Sequence, residues 1–240
     1  MKSKFYSISI LVLASFIHST VVEAQCPVSC TYTSPSGGSN FNMNGNETLC
    51  ITGNVTNLNI NFNGTGNVIC VAPGATWTQT NGMSLSGVTI NIYGTLEMNA
   101  NITANSPVEF HVQIGGVMNT NTNQYGSNFT IVNEGDLNFT ATSQVTFQGT
   151  LNNFASGDVV ATAPSLFLFL AATVTNDGIM TFGELENSES PSMVNTANGV
   201  INVNGSFYNH GEFTNNGSVF MDCSLPGSLC GFRVGDKGPG

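Results

Sequence analysis

Positive charge is nearly missing from this chain. Lysine and arginine total four in 240 residues, and two of them, Lys2 and Lys4, sit in the first four positions. Beyond that start only Arg233 and Lys237 carry a permanent positive charge, both near the C-terminus. With a formal net charge of -10, such a chain repels nucleic acid and anionic membrane surfaces, so neither is an expected partner. Only 8% of residues are charged at all. Disorder is nevertheless excluded, because disordered chains combine high charge with few aromatic and β-branched residues, and this chain does the opposite.

Two further absences matter. No stretch sustains an apolar period of 3.6 residues, which argues against helices. Cysteine is absent between Val71 and Asp222, and all six cysteines lie near the ends: Cys26, Cys30, Cys50, Cys70, Cys223 and Cys230.

The first 24 residues read as a secretory signal. Lys2 and Lys4 give the positive start, Ile8 to Ile17 an apolar run, and Val22-Glu23-Ala24 a cleavage site. The run is too short for a membrane span, so membrane insertion is not expected. An even number of cysteines after such a signal suggests disulfides in a secreted or cell-surface protein.

What the chain has in quantity is glycine, at 27 residues, and it is periodic. Short alternating segments open at Gly53, Gly74, Gly94, Gly116, Gly135, Gly157, Gly178, Gly199 and Gly217, spaced 18 to 22 residues apart. Two residues after each glycine come Val55, Thr76, Leu96, Met118, Leu137, Val159, Met180, Ile201 and Val219. All but Thr76 are apolar, which marks an inward-facing column with period-two alternation around it. A second strand-like piece precedes each glycine, as in "GVTINIYG" (Gly87–Gly94) and "NFTIVNEG" (Asn128–Gly135). Turn-rich stretches such as "NANITANS" (Asn99–Ser106) and "NTNTNQYGS" (Asn119–Ser127) separate the units.

About 20 residues per unit, with short strands and Asn/Gly corners, describe one coil of a parallel β-solenoid. The expectation is an all-β, right-handed parallel β-helix of about nine coils; the hand follows the rule for parallel crossovers. Residues 25–50 are expected to form a Cys-containing N-terminal cap, 51–222 the solenoid, and 223–240 a disulfide loop and tail. Corner Asn and Gly are explained by their tolerance of left-handed backbone angles. Asn133, Asn176, Asn209 and Asn215 each stand two residues before a corner glycine, so an amide ladder is expected along one edge. Six cysteines allow fifteen pairings. Cys223–Cys230, closing "SLPGSL", is the favoured one, and Cys50 and Cys70, one coil apart, are expected to lie one above the other.

The wording of these repeats resembles secreted surface proteins of Bacteroidetes. It rests on "VNEGDL" (Val132–Leu137), "TNDGIM" (Thr175–Met180), "YNHGEFTNNGSV" (Tyr208–Val219) and "MDCSLPGSLCGFR" (Met221–Arg233), together with the signal and the Cys-containing opening. In such proteins Asn/Gly-rich β-helical repeats stand upstream of a C-terminal sorting domain, which this sequence lacks. The resemblance implies an adhesin-like or envelope role and names no ligand.

Enzymatic candidates are few. Polysaccharide lyases of this shape need a Lys or Arg beside the substrate, and Arg233 and Lys237 both lie in the tail. Glycoside hydrolases need two carboxylates. Asp136 and Asp158, each directly after a repeat glycine, are expected to stack on adjacent coils, with Glu134 and Asp177 on the same edge. These four acids read as a hydrolytic pair, as a calcium site, or as a solvated corner, and the solvated corner is the plainest of the three. No other cofactor is expected. "ELENSES" (Glu184–Ser190) reads as a solvated loop. His111 and His210 lie too far apart to share a metal, and His111 is expected to face outward. Thr76 and Thr78 suggest an ice-binding Thr array, which fails because the same columns continue as Leu96 and Met98. Trp77 and Tyr125 are either sugar-stacking or packed. "LFLFLAA" (Leu166–Ala172) is apolar on both sides of its strand and is a candidate for self-association. The expected function is a non-enzymatic structural or adhesive module whose partner is a glycan or a surface protein, with a carbohydrate-active β-helix as the alternative.

Overall fold

A computed structural model describes residues 26, 29–34, 40–163, 165–188, 192–222 and 231–234. The segment 1–24 read as a signal and the expected Cys223–Cys230 bridge lie outside the described residues. Within them the chain is all-β, with every strand pairing parallel. It winds as a solenoid of about nine turns, each turn laying one strand on each of three faces. At the usual spacing of parallel strands, about 4.8 Å, the rod is about 40 Å long.

The first face has ten strands, from Tyr32–Ser34 to Glu212–Asn215, and the second has nine, from Val55–Thr56 to Ser218–Met221. The third face is interrupted. Asn40–Met43 pairs with Asn59–Phe62, Met83–Leu85 pairs with Ile102–Ala104, and six strands run from Gln124–Tyr125 to Gly231–Val234. Tyr32–Ser34 and Asn40–Met43 are the opening strands of their faces and lie inside the stretch 25–50.

The third face corrects two expectations. The turn-rich stretches around Ile102–Ala104 and Gln124–Tyr125 carry strands, and so does "ELENSES", whose Leu185–Ser188 pairs with Phe167–Leu170. Leu185 and Asn187 are buried while Glu186 points outward. A strand with one inward apolar residue and an inward asparagine does not stand out in composition from a loop.

The inward column of the second face contains Val55, Trp77, Leu96, Met118, Leu137, Val159, Met180, Ile201 and Val219, linked by register. Trp77 holds the place expected for Thr76, so all nine are apolar. The slip has a local cause: Ala75, not Gly74, occupies the last corner position, equivalent to Gly94, so this strand starts two residues after its glycine and not one. Its outward columns read Thr76–Thr95 and Thr78–Glu97, so the Leu96/Met98 comparison used the wrong columns. An ice-binding array on this face still fails, since the Thr76 column continues into Asp136, Asp158 and Ile179.

Aromatic rings fill the middle of the core. Tyr125 meets Phe129, Phe139 and Phe147 at centroid distances of 5.4, 5.6 and 5.4 Å, and Phe139 meets Phe167 at 4.8 Å. Phe167 and Phe169 are fully buried here, while Leu168 and Leu170 stand half-buried on the outer side of the same strand.

The expected amide ladder exists and extends further. Asn133, Asn153, Asn176, Asn195 and Asn215 stack in register at the corner after the first face. From Asn133 to Asn195 each Nδ2 donates to the next Oδ1 at 2.8 Å, ending on Asn215. Each of these four donors also reaches a backbone carbonyl of the second face, for example Asn153 to Ile179 O at 3.0 Å and Asn176 to Val200 O at 3.1 Å. Asn209 belongs to a second, shorter ladder with Asn187, at 2.7 Å.

This ladder revises the reason for the corner glycines. Left-handed backbone occurs at Gly45, Gly66, Gly74, Gly87 and Gly115, but not at Gly157, Gly178, Gly199 or Gly217. At Gly178 a Cβ would stand 2.3 Å from both Gly157 O and Phe154 O and 2.9 Å from Asn153 Nδ2. Close approach of the coil below, and not backbone angle, requires glycine at these corners.

Cys50 and Cys70 do lie one above the other on the first face. They are not bonded to each other. Cys26 pairs with Cys70 and Cys30 with Cys50, both with Cα–Cα distances of 5.7 Å. Stacked residues of parallel strands point the same way, whereas a disulfide needs converging Cβ vectors. The segment carrying Cys26 and Cys30 meets those vectors from outside, and Cys50 and Cys70 are fully buried.

Candidate binding surface

Three outward surfaces follow from the coil geometry. The first face presents a column in which Thr130, Thr150, Thr173 and Ser192 follow one another in register, with Glu109 before them. Beside it run Val132, Asn152, Thr175 and Val194. His111 faces outward as expected, half-buried, with Nε2 3.0 Å from Glu109 Oε1.

On the second face Asp136 and Asp158 are direct neighbours on adjacent strands. Asp136 is exposed, whereas Asp158 is half-buried and its Oδ1 is buried with no hydrogen-bond partner. Burial first, and the Asp136 charge second, push the Asp158 carboxyl above the usual carboxylate range. Glu134 and Asp177 sit at the corner beside the Asn ladder, and the register of Asn133, Asn153 and Asn176 places Phe154 between them. Asp177 Oδ1 accepts hydrogen bonds from Thr196 Oγ1 and, at 3.2 Å, from Asn198 Nδ2. The structure therefore brings Asp136 and Asp158 together and leaves Glu134 and Asp177 two coils apart from each other. Among the described residues no group of three or more His, Cys, Asp or Glu is arranged to hold a metal ion.

The aromatic candidates are interior residues. Trp77 is fully buried with Nε1 donating to Gln79 Oε1 at 3.4 Å, and Tyr125 OH is 2.5 Å from Thr120 Oγ1. Neither ring is available to stack on a sugar.

The third face holds features the sequence did not mark. Where Asn59–Phe62 fails to pair with Met83–Leu85, a cleft of about 650 Å³ opens. A second, of about 420 Å³, opens where Ile102–Ala104 fails to pair with Gln124–Tyr125. Neither is lined by a charged side chain. The first arises at Asn57, which takes left-handed backbone with φ of 55° and ends its second-face strand after two residues. Its Oδ1 accepts from Thr80 N at 2.8 Å, standing in for strand pairing at that corner. The next coil keeps four residues there, Thr76–Gln79, so the two third-face strands start out of step.

No protein-family model matches the chain, and neither does any curated protein or any solved structure.

Proposed function

We propose that the chain is an exported, non-enzymatic structural and adhesive rod of the extracellular space or cell surface. The observation that carries this reading is the character of its outward surfaces: stacked hydroxyls and amides, with uncharged clefts on the third face. Such surfaces form many weak, neutral hydrogen bonds along a rigid axis, which suits repeated contact with a polymer. The two disulfides fit an oxidising compartment. The sequence places Arg233 and Lys237 at the far end, away from the middle coils where a lyase would need a cation. A Bacteroidetes-type surface adhesin is the finer form of this proposal and rests on the repeat wording alone. Beads coated with the mature chain test it. Salt-resistant attachment to polysaccharide- or protein-coated surfaces supports adhesion, and attachment to none overturns it.

One observation favours the carbohydrate-active alternative. Asp136 and Asp158 are adjacent, and the raised Asp158 carboxyl suits a general acid beside a second carboxyl group. Under this alternative, Asp136→Asn with Asp158→Asn abolishes hydrolysis, whereas the adhesive reading expects attachment to be unchanged in that double variant.

A further inference from the structure

The two clefts of the third face are built alike. Each separates third-face strands of successive coils, and each is rimmed by side-chain amides and hydroxyls. In the larger, Asn59 and Asn61 stand exposed on one wall and Asn81 and Ser84 on the other. The floor is apolar, formed by Ile60 and Met83, with half-buried Phe62 at one end. The rim is held in place before any ligand arrives. Asn61 Nδ2 donates to Asn42 Oδ1 at 2.9 Å, and Asn105 Nδ2 donates to Ser84 Oγ at 2.7 Å. Asn61 Oδ1 and its second N–H stay available to a ligand, and a preset rim lowers the entropy cost of binding.

We infer that these clefts bind a neutral glycan chain lying along the rod, an inference that rests on the adhesive reading above. Three observations select this occupant. The lining carries no charge, so nothing there compensates a uronate, sulfate or phosphate. Amide rims over an apolar floor match the two surfaces of a pyranose, hydroxyls at the edge and C–H groups on the face. The third observation separates a glycan from an extended peptide. Inserting a strand between Asn59–Phe62 and Met83–Leu85 requires them two strand spacings apart, about 9.6 Å. The same two coils are paired in register on the first and second faces, Ile69 with Ile90 and Val55 with Trp77, which holds them one spacing apart there. The cleft is a surface groove and not a missing strand. The smaller cleft lies two coils further along the same face, about 10 Å away at the strand spacing, so a repeating polymer reaches both and gains from their linkage.

The test uses the full mature chain and defined probes: cellohexaose, mannohexaose, xylohexaose and an anionic galacturonate hexamer, titrated by calorimetry. Ser84→Trp fills the larger cleft, and Asn59→Ala with Asn61→Ala strips one wall of its rim. These positions are exposed at the surface, so both variants are expected to melt as the parent does, and Ile114→Ala, at an exposed corner outside both clefts and outside the first-face columns, is the control. The expected result is binding of at least one neutral hexasaccharide, weakened tenfold or more by either cleft variant and unchanged in the control. The inference is overturned if no neutral hexasaccharide binds, if only the galacturonate binds, if an extended peptide displaces the sugar from the cleft, or if both cleft variants bind as the parent does. Bead attachment that survives in the cleft variants would sink the cleft assignment while leaving the adhesive reading standing. Loss of attachment in the parent itself would remove that reading first.

Discussion

Asn153 donates from Nδ2 to Asn176 Oδ1 at 2.8 Å, one coil further along, with both side chains buried. The same nitrogen reaches Gly157 O and Ile179 O, so a single amide joins its own corner, the next corner and the next second-face strand. Buried amides this well satisfied fix the stacking register, because a slip of one residue would leave each of them unpaired.

Replacing Asn153 by Ala removes those donors and strands the buried Asn176 Oδ1, while Gly157 O keeps its bond from Ile179 N. The expected loss is on the order of 2–3 kcal/mol, read as a lower midpoint in denaturant melts. Asn152→Ala, the next residue outward, is expected to change stability by less than about 0.5 kcal/mol. Equal effects at the two positions would contradict the ladder's role.

Gly178→Ala tests the reason for the corner glycines. Its Cβ would meet two backbone carbonyl oxygens at 2.3 Å, neither of which moves without shifting a whole coil. The variant is expected to lose several-fold more stability than the ~1 kcal/mol scale of an ordinary backbone-entropy effect, in the destabilising direction. Alanine at Gly74, where a Cβ meets nothing within 4 Å although φ is +75°, is expected to cost only the left-handed penalty of about 1–2 kcal/mol.

Asp158 gives stability a definite pH dependence. Its native carboxyl holds a proton to higher pH than the unfolded chain does. In that interval the native state binds more protons, so stability falls as pH rises from the ordinary carboxylate value through the raised one. Asp158→Asn removes this term. The variant is expected to be as stable as the parent or more so at pH 7, with the difference disappearing near about pH 3. A variant less stable at neutral pH would show that the charged carboxylate is favoured.

The disulfides anchor the first turns. The bridges Cys26–Cys70 and Cys30–Cys50 span 44 and 20 residues, for which chain entropy gives roughly 3–4 kcal/mol each. Cys30→Ser with Cys50→Ser is expected to lower the melting midpoint, with the first protected amides to exchange lying in Thr48–Val71. A melt insensitive to reducing agent would exclude both bridges.

Much of this fold is legible in the sequence, since the inward column from Val55 to Val219 is chemically uniform and its spacing equals one coil. The slip at Thr76 came from Ala75 standing in the last corner position, one residue after the glycine, which position counting does not detect but strand register does. The third face was hidden for a different reason. Its strands, such as Ile102–Ala104 and Gln124–Tyr125, are two to four residues long and polar on one side, so composition alone reads them as turns. The clefts follow from where that face fails to pair, a property of corner geometry at Asn57. Of the acid cluster, the adjacency of Asp136 and Asp158 was readable from their place after successive corner glycines. The separation of Glu134 from Asp177 was not, because the Phe154 corner between them carries no acid to reveal the missing step.

The central claim is that the rod binds without cutting. Its most direct test incubates residues 25–240 with soluble polysaccharides and follows two quantities in the same sample, retention of the protein on the polymer and release of new reducing ends. The account predicts retention with no new reducing ends, unchanged in Asp136→Asn/Asp158→Asn. Reducing ends that accumulate with the parent and vanish in that double variant would contradict it and make Asp136 and Asp158 a hydrolytic pair.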